Sequence, residues 1–108
     1  MTEAALQILI ALAHTDKHGY AIMREVGART EGRVKLYPGT LYANIKRLLA
    51  DGLIEELDER PGSPEDDERR RYYRLSKTGR AAALAEIDRL EETVRHARES
   101  GLAARAKR

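Results

Sequence analysis

Between Ala4 and Ala13 the chain reads AALQILIALA, with Gln7 the only polar residue. With Thr2 in front as N-cap, this run predicts a helix that is apolar nearly all the way round. Such a helix has to be covered nearly all the way round. The chain has 108 residues, enough for one domain with a modest core. That domain can cover one side of the helix, and the other side calls for contact with a second subunit. Phe and Trp are absent, so Leu, Ile, Val, Ala and Tyr must build the core.

The segments that follow change period several times. TDKHG (15–19) breaks the apolar run with polar residues and a Gly. A second helix is predicted from about His18 to Arg29, with Tyr20, Met23 and Val26 three apart and Ile22 beside them. TEGRVKLYPG (30–39) is a connector in which VKLY has the makings of a short strand. Pro38 turns Tyr37 away from helical geometry and suits an early position of the next helix. The third helix runs from Pro38 or Gly39 to Asp51, with Gly52 as its C′ residue. At 100° per residue, Leu41, Ile45, Leu48 and Leu49 share one arc. Gly39, Ala43, Lys46, Arg47 and Ala50 take the opposite arc, with Thr40 and Tyr42 on its flanks.

LIEELDE (53–59) and RRRYYRLS (69–76) read as antiparallel strands joined by RPGSPEDDE (60–68), a turn region with two prolines and an acidic run. Ser76 then caps a last helix reaching Glu99 or beyond. In it Ala83, Ile87, Leu90, Val94, Ala97 and Gly101 step by four and three, the seam of a helix that packs on another helix. The expected fold is mainly α with a small two-stranded β wing. Residues 1–76 form a winged helix-turn-helix domain, and 77–108 form a long dimerisation helix with a basic tail.

Charge is unevenly distributed although the net value is only +2. Residues 55–68 carry eight acids and one Arg, whereas residues 69–80 carry six cations and no acid. Local potential of this kind, more than net charge, steers an anionic partner. Absence of Cys removes disulfides, thiolate catalysis and thiolate metal sites together. The longest apolar run, Ile8 to Ala13, is far below the ~20 residues that span a membrane. The N-terminus shows no signal pattern. A cytoplasmic protein without membrane contact is expected. His14, His18 and His96 have no matching third ligand, and no nucleophile stands beside a base. Neither an enzyme nor a metal or cofactor site is expected.

Three helices followed by a hairpin have the order of a helix-turn-helix whose second helix enters the major groove and whose hairpin is a wing. The third helix has suitable chemistry. Gly39, Thr40 and Ala43 allow close approach to base edges, and Lys46 and Arg47 can neutralise phosphates or donate to guanine. Tyr20 either reaches a phosphate or caps the core, and Tyr37, before Pro38, is open to the same two readings. Arg69, Arg70 and Arg71 either touch DNA from the wing strand or pair with the acidic loop. Tyr72 and Tyr73 read as structural.

HGYAIMREV (18–26), YPGTLYANIKRLLADGLI (37–54) and RRYYRLSKTGR (70–80) together resemble the PadR-like winged-helix transcriptional regulators, in the family's order and spacing. The resemblance implies a homodimeric repressor of double-stranded DNA, often released by a small-molecule effector. It also implies that Tyr42 contacts DNA, and that the last helix packs on the first helix of the partner. The dimerisation residues would then be Leu6, Leu9 and Ile10 with Ala83, Ile87, Leu90, Val94 and Ala97. Two departures stand out. The wing tip, PEDDE (64–68), is acidic and would repel phosphate, and there is no Trp to line the drug-binding pore of some small members. The acidic wing is also the best support for a rival reading, a winged-helix module that binds protein instead of DNA. An intact cationic third helix favours DNA.

Overall fold

In the computed structural model, residues 1–57 and 71–103 are described. The elements are α1 (Glu3–Ala11), β1 (Lys17–His18), α2 (Gly19–Arg29), α3 (Pro38–Ala50), β2 (Ile54–Glu56), β3 (Tyr72–Leu75) and α4 (Lys77–Glu99). The expected helices are all present, and their ends are made by the residues that predicted them. Thr2 Oγ1 accepts the Ala5 N–H at 3.1 Å, and Ser76 Oγ accepts the Gly79 N–H at 2.9 Å. His18 is the N-cap of α2, its Nδ1 accepting the Ala21 N–H at 3.1 Å.

The core gathers Ile8, Leu9, Ala11 and Leu12 of α1 and its C-cap, Ile22 and Val26 of α2, and Leu41, Ile45 and Leu48 of α3, closed by Leu36, Ile54 and Tyr73. Gln7, which interrupts the apolar run of α1, accepts from the Arg29 guanidinium through its Oε1 (3.1 and 2.9 Å) and its carbonyl (3.0 Å). This latches α1 to the end of α2. The carbonyl end of α1 is met by two cations, as a helix C-terminus favours. Lys17 Nζ donates to the Ala11 carbonyl at 2.6 Å and Arg80 donates to that of Ala13 at 3.0 Å.

The sheet differs from the two-stranded wing expected. It has three antiparallel strands in the order β1-β3-β2, with Lys17 opposite Tyr73 and Ile54 opposite Leu75. The third strand comes from TDKHG, whose polar residues hide a two-residue pairing too short to show a period. VKLY (34–37) forms no strand, since Leu36 is drawn into the core and Tyr37 serves as the N-cap of α3. The wing loop with its acidic tip, Arg69, Arg70 and the basic tail from residue 104 lie outside the described residues.

Two backbone features organise the joints. At the end of α3, Gly52 has φ +75°; its N–H donates to the Leu49 carbonyl (3.1 Å) and the Leu53 N–H to that of Leu48 (2.9 Å), a Schellman motif. The same pattern ends α2, where Gly32 donates to Gly27 (2.8 Å) and Glu31 to Ala28 (3.2 Å). There, however, the left-handed position is held by Glu31 at φ +54°. Beyond α3 the chain meets the start of α4. The Leu53 carbonyl accepts the Ser76 N–H at 3.1 Å, and Ser76 Oγ donates to the Gly52 carbonyl at 2.7 Å. A Cβ on Gly79 would lie 1.9 Å from the Leu53 oxygen. The seat of α4 therefore requires glycine.

Opposite stability effects are expected at these two glycine-compatible positions. Gly79→Ala should destabilise the protein by about 1–3 kcal/mol, because a backbone oxygen cannot yield as a side chain can. Glu31→Gly should stabilise it by roughly 0.5–1 kcal/mol through relief of the left-handed strain, less the added chain entropy. Urea titration of both variants measures the pair. A neutral Gly79→Ala would mean that α4 is not seated as described.

Candidate nucleic-acid interface

The outer surface of α3 begins at an unusual helix start. Tyr37 makes no side-chain cap bond, and Pro38 occupies the first turn. Pro has no N–H to cap, so the first-turn donors left over are backbone N–H groups that no side chain of the helix start covers. Pro38, Gly39 and Thr40 are exposed, as are Ala43, Lys46 and Arg47 further along. Nothing lies within 4 Å of a Cβ built on Gly39. Its own fold therefore does not need glycine there, although glycine costs helix stability. The small side chains of residues 39, 40 and 43 leave a shallow path along the helix, bordered by Lys46 and Arg47. Asn44 Nδ2 donates back to the Thr40 carbonyl at 2.9 Å.

Tyr42 departs from the role that the resemblance implied. It lies half-buried against the core, and its ring covers Gly19 at the start of α2. A Cβ there would come within 2.6 Å of the Tyr42 oxygen, which is itself buried. Tyr42 is thus the spacer between α2 and α3, and its hydroxyl is not offered to a phosphate. The glycine after His18 has a matching explanation in that ring. Tyr20 and Tyr37 do face outward, with 47% and 64% of their surface exposed. Arg71 donates to Glu56 at 3.0 Å on the neighbouring strand, a carboxylate outside the acidic loop 60–68.

Electrostatic partners separate the cations into two sets. Lys17 and Arg29 pair with Glu25, Arg33 with Glu3, Arg71 with Glu56 and Arg74 with Asp16. Hydrogen bonding to Arg33 lowers the carboxyl pKa of Glu3 and raises that of the arginine. Among the described residues, Arg24, Lys35, Lys46, Arg47, Lys77, Arg80 and Arg98 meet no carboxylate at ion-pair distance. All are exposed; the first four lie on α2, α3 or the connector between them, and the other three on α4. Pattern reading misses Arg24 and Lys35, because neither falls on the arc of the third helix. Absence of a described carboxylate partner, together with their place beside α3, is the signal that finds them.

The residues expected at a subunit interface also separate. Leu6 and Leu9 are buried within their own chain, at 7% and 1% exposure, which leaves little surface for a partner. Ala83 packs on the same core, while Ile10, Ile87 and Ala97 are half-covered. Leu90 and Val94 are 42% and 45% exposed, and Leu84, which the heptad reading passes over, is more open still. They lie along α4, of which only Gly79 is buried. Ile87, Leu90 and Val94 line one shallow groove with Glu91, Arg95, Arg98 and Glu99. Among the described residues no cluster could hold a metal ion, and no helix is long and apolar enough to cross a membrane.

Known proteins are similar to this chain in sequence or fold. The chain is 39% identical over 90 residues to the transcriptional regulator Rv3488 of Mycobacterium tuberculosis, covering 83% of this chain and 78% of the relative. It is 34% identical over 74 residues to an uncharacterised protein of Lysinibacillus sphaericus, covering 68% of this chain but only 65% of that relative's length. The fold matches Bacillus subtilis PadR in complex with operator DNA with a TM-score of 0.67 at 16% identity, over 80% of this chain and 47% of that one. Residues 8–85 match the transcriptional regulator PadR-like family, which is most of the chain. With its winged-helix body and the cationic outer face of α3, this chain belongs to the PadR-like family of transcriptional regulators.

Proposed function

We propose that the protein is a homodimeric repressor that binds a pseudo-palindromic operator through α3. The observation that carries this reading is the outer face of α3. Lys46 and Arg47 stand there without a described carboxylate, beside an exposed row of small residues, while Arg29, Arg33, Arg71 and Arg74 are each paired with an acid. Phosphates and base acceptors would supply the missing partners. The operator DNA bound to the fold relative from Bacillus subtilis supports the same assignment. Pro38, Gly39, Thr40, Ala43, Lys46 and Arg47 would read the groove, with Tyr20 and Tyr37 at its edges.

Dimerisation rests on α4. Its 23 residues extend about 35 Å at the usual rise per residue, and the apolar stripe of Leu84, Ile87, Leu90 and Val94 is left open beyond the core. A second subunit would cover it, in keeping with the family. Residues 1–76 would then bind DNA and residues 77–108 hold the dimer, although Gly79 and Ala83 belong physically to the body. Two recognition helices spaced about 34 Å apart would match one turn of DNA.

Fluorescence anisotropy against promoter duplexes, including the DNA upstream of its own gene, tests the proposal. Nanomolar binding that falls steeply with salt is expected. Binding held at about 10⁻⁴ to 10⁻⁶ M on every duplex is the non-specific level and would sink it. The double variant Lys46→Ala/Arg47→Ala should lower affinity and flatten the dependence of log K on log salt by about 0.9 for each phosphate no longer neutralised. Val94→Asp puts a charge into the open stripe. It should give a folded monomer by circular dichroism and light scattering, with the high-affinity binding gone.

A further inference from the structure

The exposed face of α2 carries a feature that the base-reading role of α3 does not use. Tyr20 and Arg24 are four residues apart and so lie one above the other on the helix. The Arg24 guanidinium carbon sits 5.5 Å from the centre of the Tyr20 ring. Both side chains are exposed. The adjacent carboxylate, Glu25, is already engaged by Lys17 at 3.3 Å and Arg29 at 2.6 Å. Among the described residues Arg24 therefore keeps its charge uncompensated, although an acid is its immediate neighbour in sequence.

We propose that Tyr20 and Arg24 form a phosphate clamp on α2, a DNA-backbone contact separate from the recognition helix. The assignment rests on the DNA-binding reading above and extends it to a residue outside α3. Position supports it. Gly19 abuts Tyr42 of α3, so the first turn of α2 runs beside the recognition helix. In a helix-turn-helix, the helix preceding the recognition helix crosses the DNA backbone. The chemistry fits as well. A guanidinium lying over an aromatic face keeps its N–H edge free for two phosphate oxygens. Stacking also restricts an otherwise flexible side chain, so less freedom is lost when the phosphate binds. A phosphate contact fixes the register of the protein on the duplex and carries no sequence information.

The test uses the full chain and the promoter duplex it binds most tightly, beside an unrelated duplex of equal length. Anisotropy titrations are run from 50 to 300 mM salt. Arg24→Ala should weaken binding to both duplexes by the same factor, about fivefold for each phosphate at 0.15 M salt, and reduce the salt slope by about 0.9 per phosphate. With two copies engaged the slope change doubles. Arg24→Lys should retain the slope but bind less tightly, because it keeps the charge and loses the planar fork. Tyr20→Leu should behave likewise. Arg89→Ala removes the same charge from α4 and should leave the slope of the unmutated protein. If Arg24→Ala keeps the full slope while Lys46→Ala/Arg47→Ala reduces it, the clamp is overturned and the recognition helix stands. If Arg24→Ala weakens only one of the two duplexes, Arg24 reads bases and the backbone role is likewise overturned. If the unmutated protein shows no salt-dependent binding at all, both readings fall together.

Discussion

Leu53 is the joint on which the molecule turns. Its N–H closes the end of α3 on the Leu48 carbonyl, and its oxygen accepts the N–H of Ser76 at the entry to α4. Gly79 passes so near that oxygen that no larger residue fits. One residue thus ties α3, the sheet and the proposed dimer helix into one corner. Hydrogen bonds between backbone groups have little slack, so a tilt of α4 cannot be absorbed at this corner by side-chain rearrangement. The spacing of two recognition helices in a dimer would consequently follow from the geometry of α4.

A second constraint is the division of charge. A domain in which every arginine met a carboxylate would present a nearly neutral surface of ion pairs worth little to stability. Here acids neutralise cations around α1 and the sheet. Among the described residues they leave Arg24, Lys35, Lys46 and Arg47 unmatched on α2, α3 and their connector, besides Lys77, Arg80 and Arg98 on α4. Net charge conceals this, since the total is small. What an anionic partner meets is the local potential of the unmatched side.

Much of this can be read from the residues in order. Thr2, His18, Pro38, Gly52 and Ser76 stand at or just beyond helix ends because caps and left-handed turns tolerate few residue types. The two arcs of α3 are legible because Leu41, Ile45 and Leu48 repeat at helical spacing, and exposure of Gly39, Thr40, Ala43, Lys46 and Arg47 follows from that repeat. Tyr42 escapes such a reading for a related reason: it lies at the border of the two arcs, where periodicity cannot say whether α2 or solvent stands opposite. Leu6 and Leu9 look like partner-facing residues because an all-round apolar helix needs many contacts, and this chain makes more of them itself than its size suggests.

Sequence by itself thus determined the helices, their ends and the direction in which α3 presents its cations, because each depends on neighbours within about one helical turn. Tertiary structure alone decided the third strand at Lys17–His18, which exists only as a partner of β3. It also decided the packing of Tyr42 on Gly19, the pairing of Arg71 with Glu56 and the stacking of Arg24 on Tyr20 while Glu25 is held by other cations. Each of these joins residues distant along the chain or depends on what a third residue has already engaged. No local pattern encodes such a competition for partners; only the folded arrangement settles it.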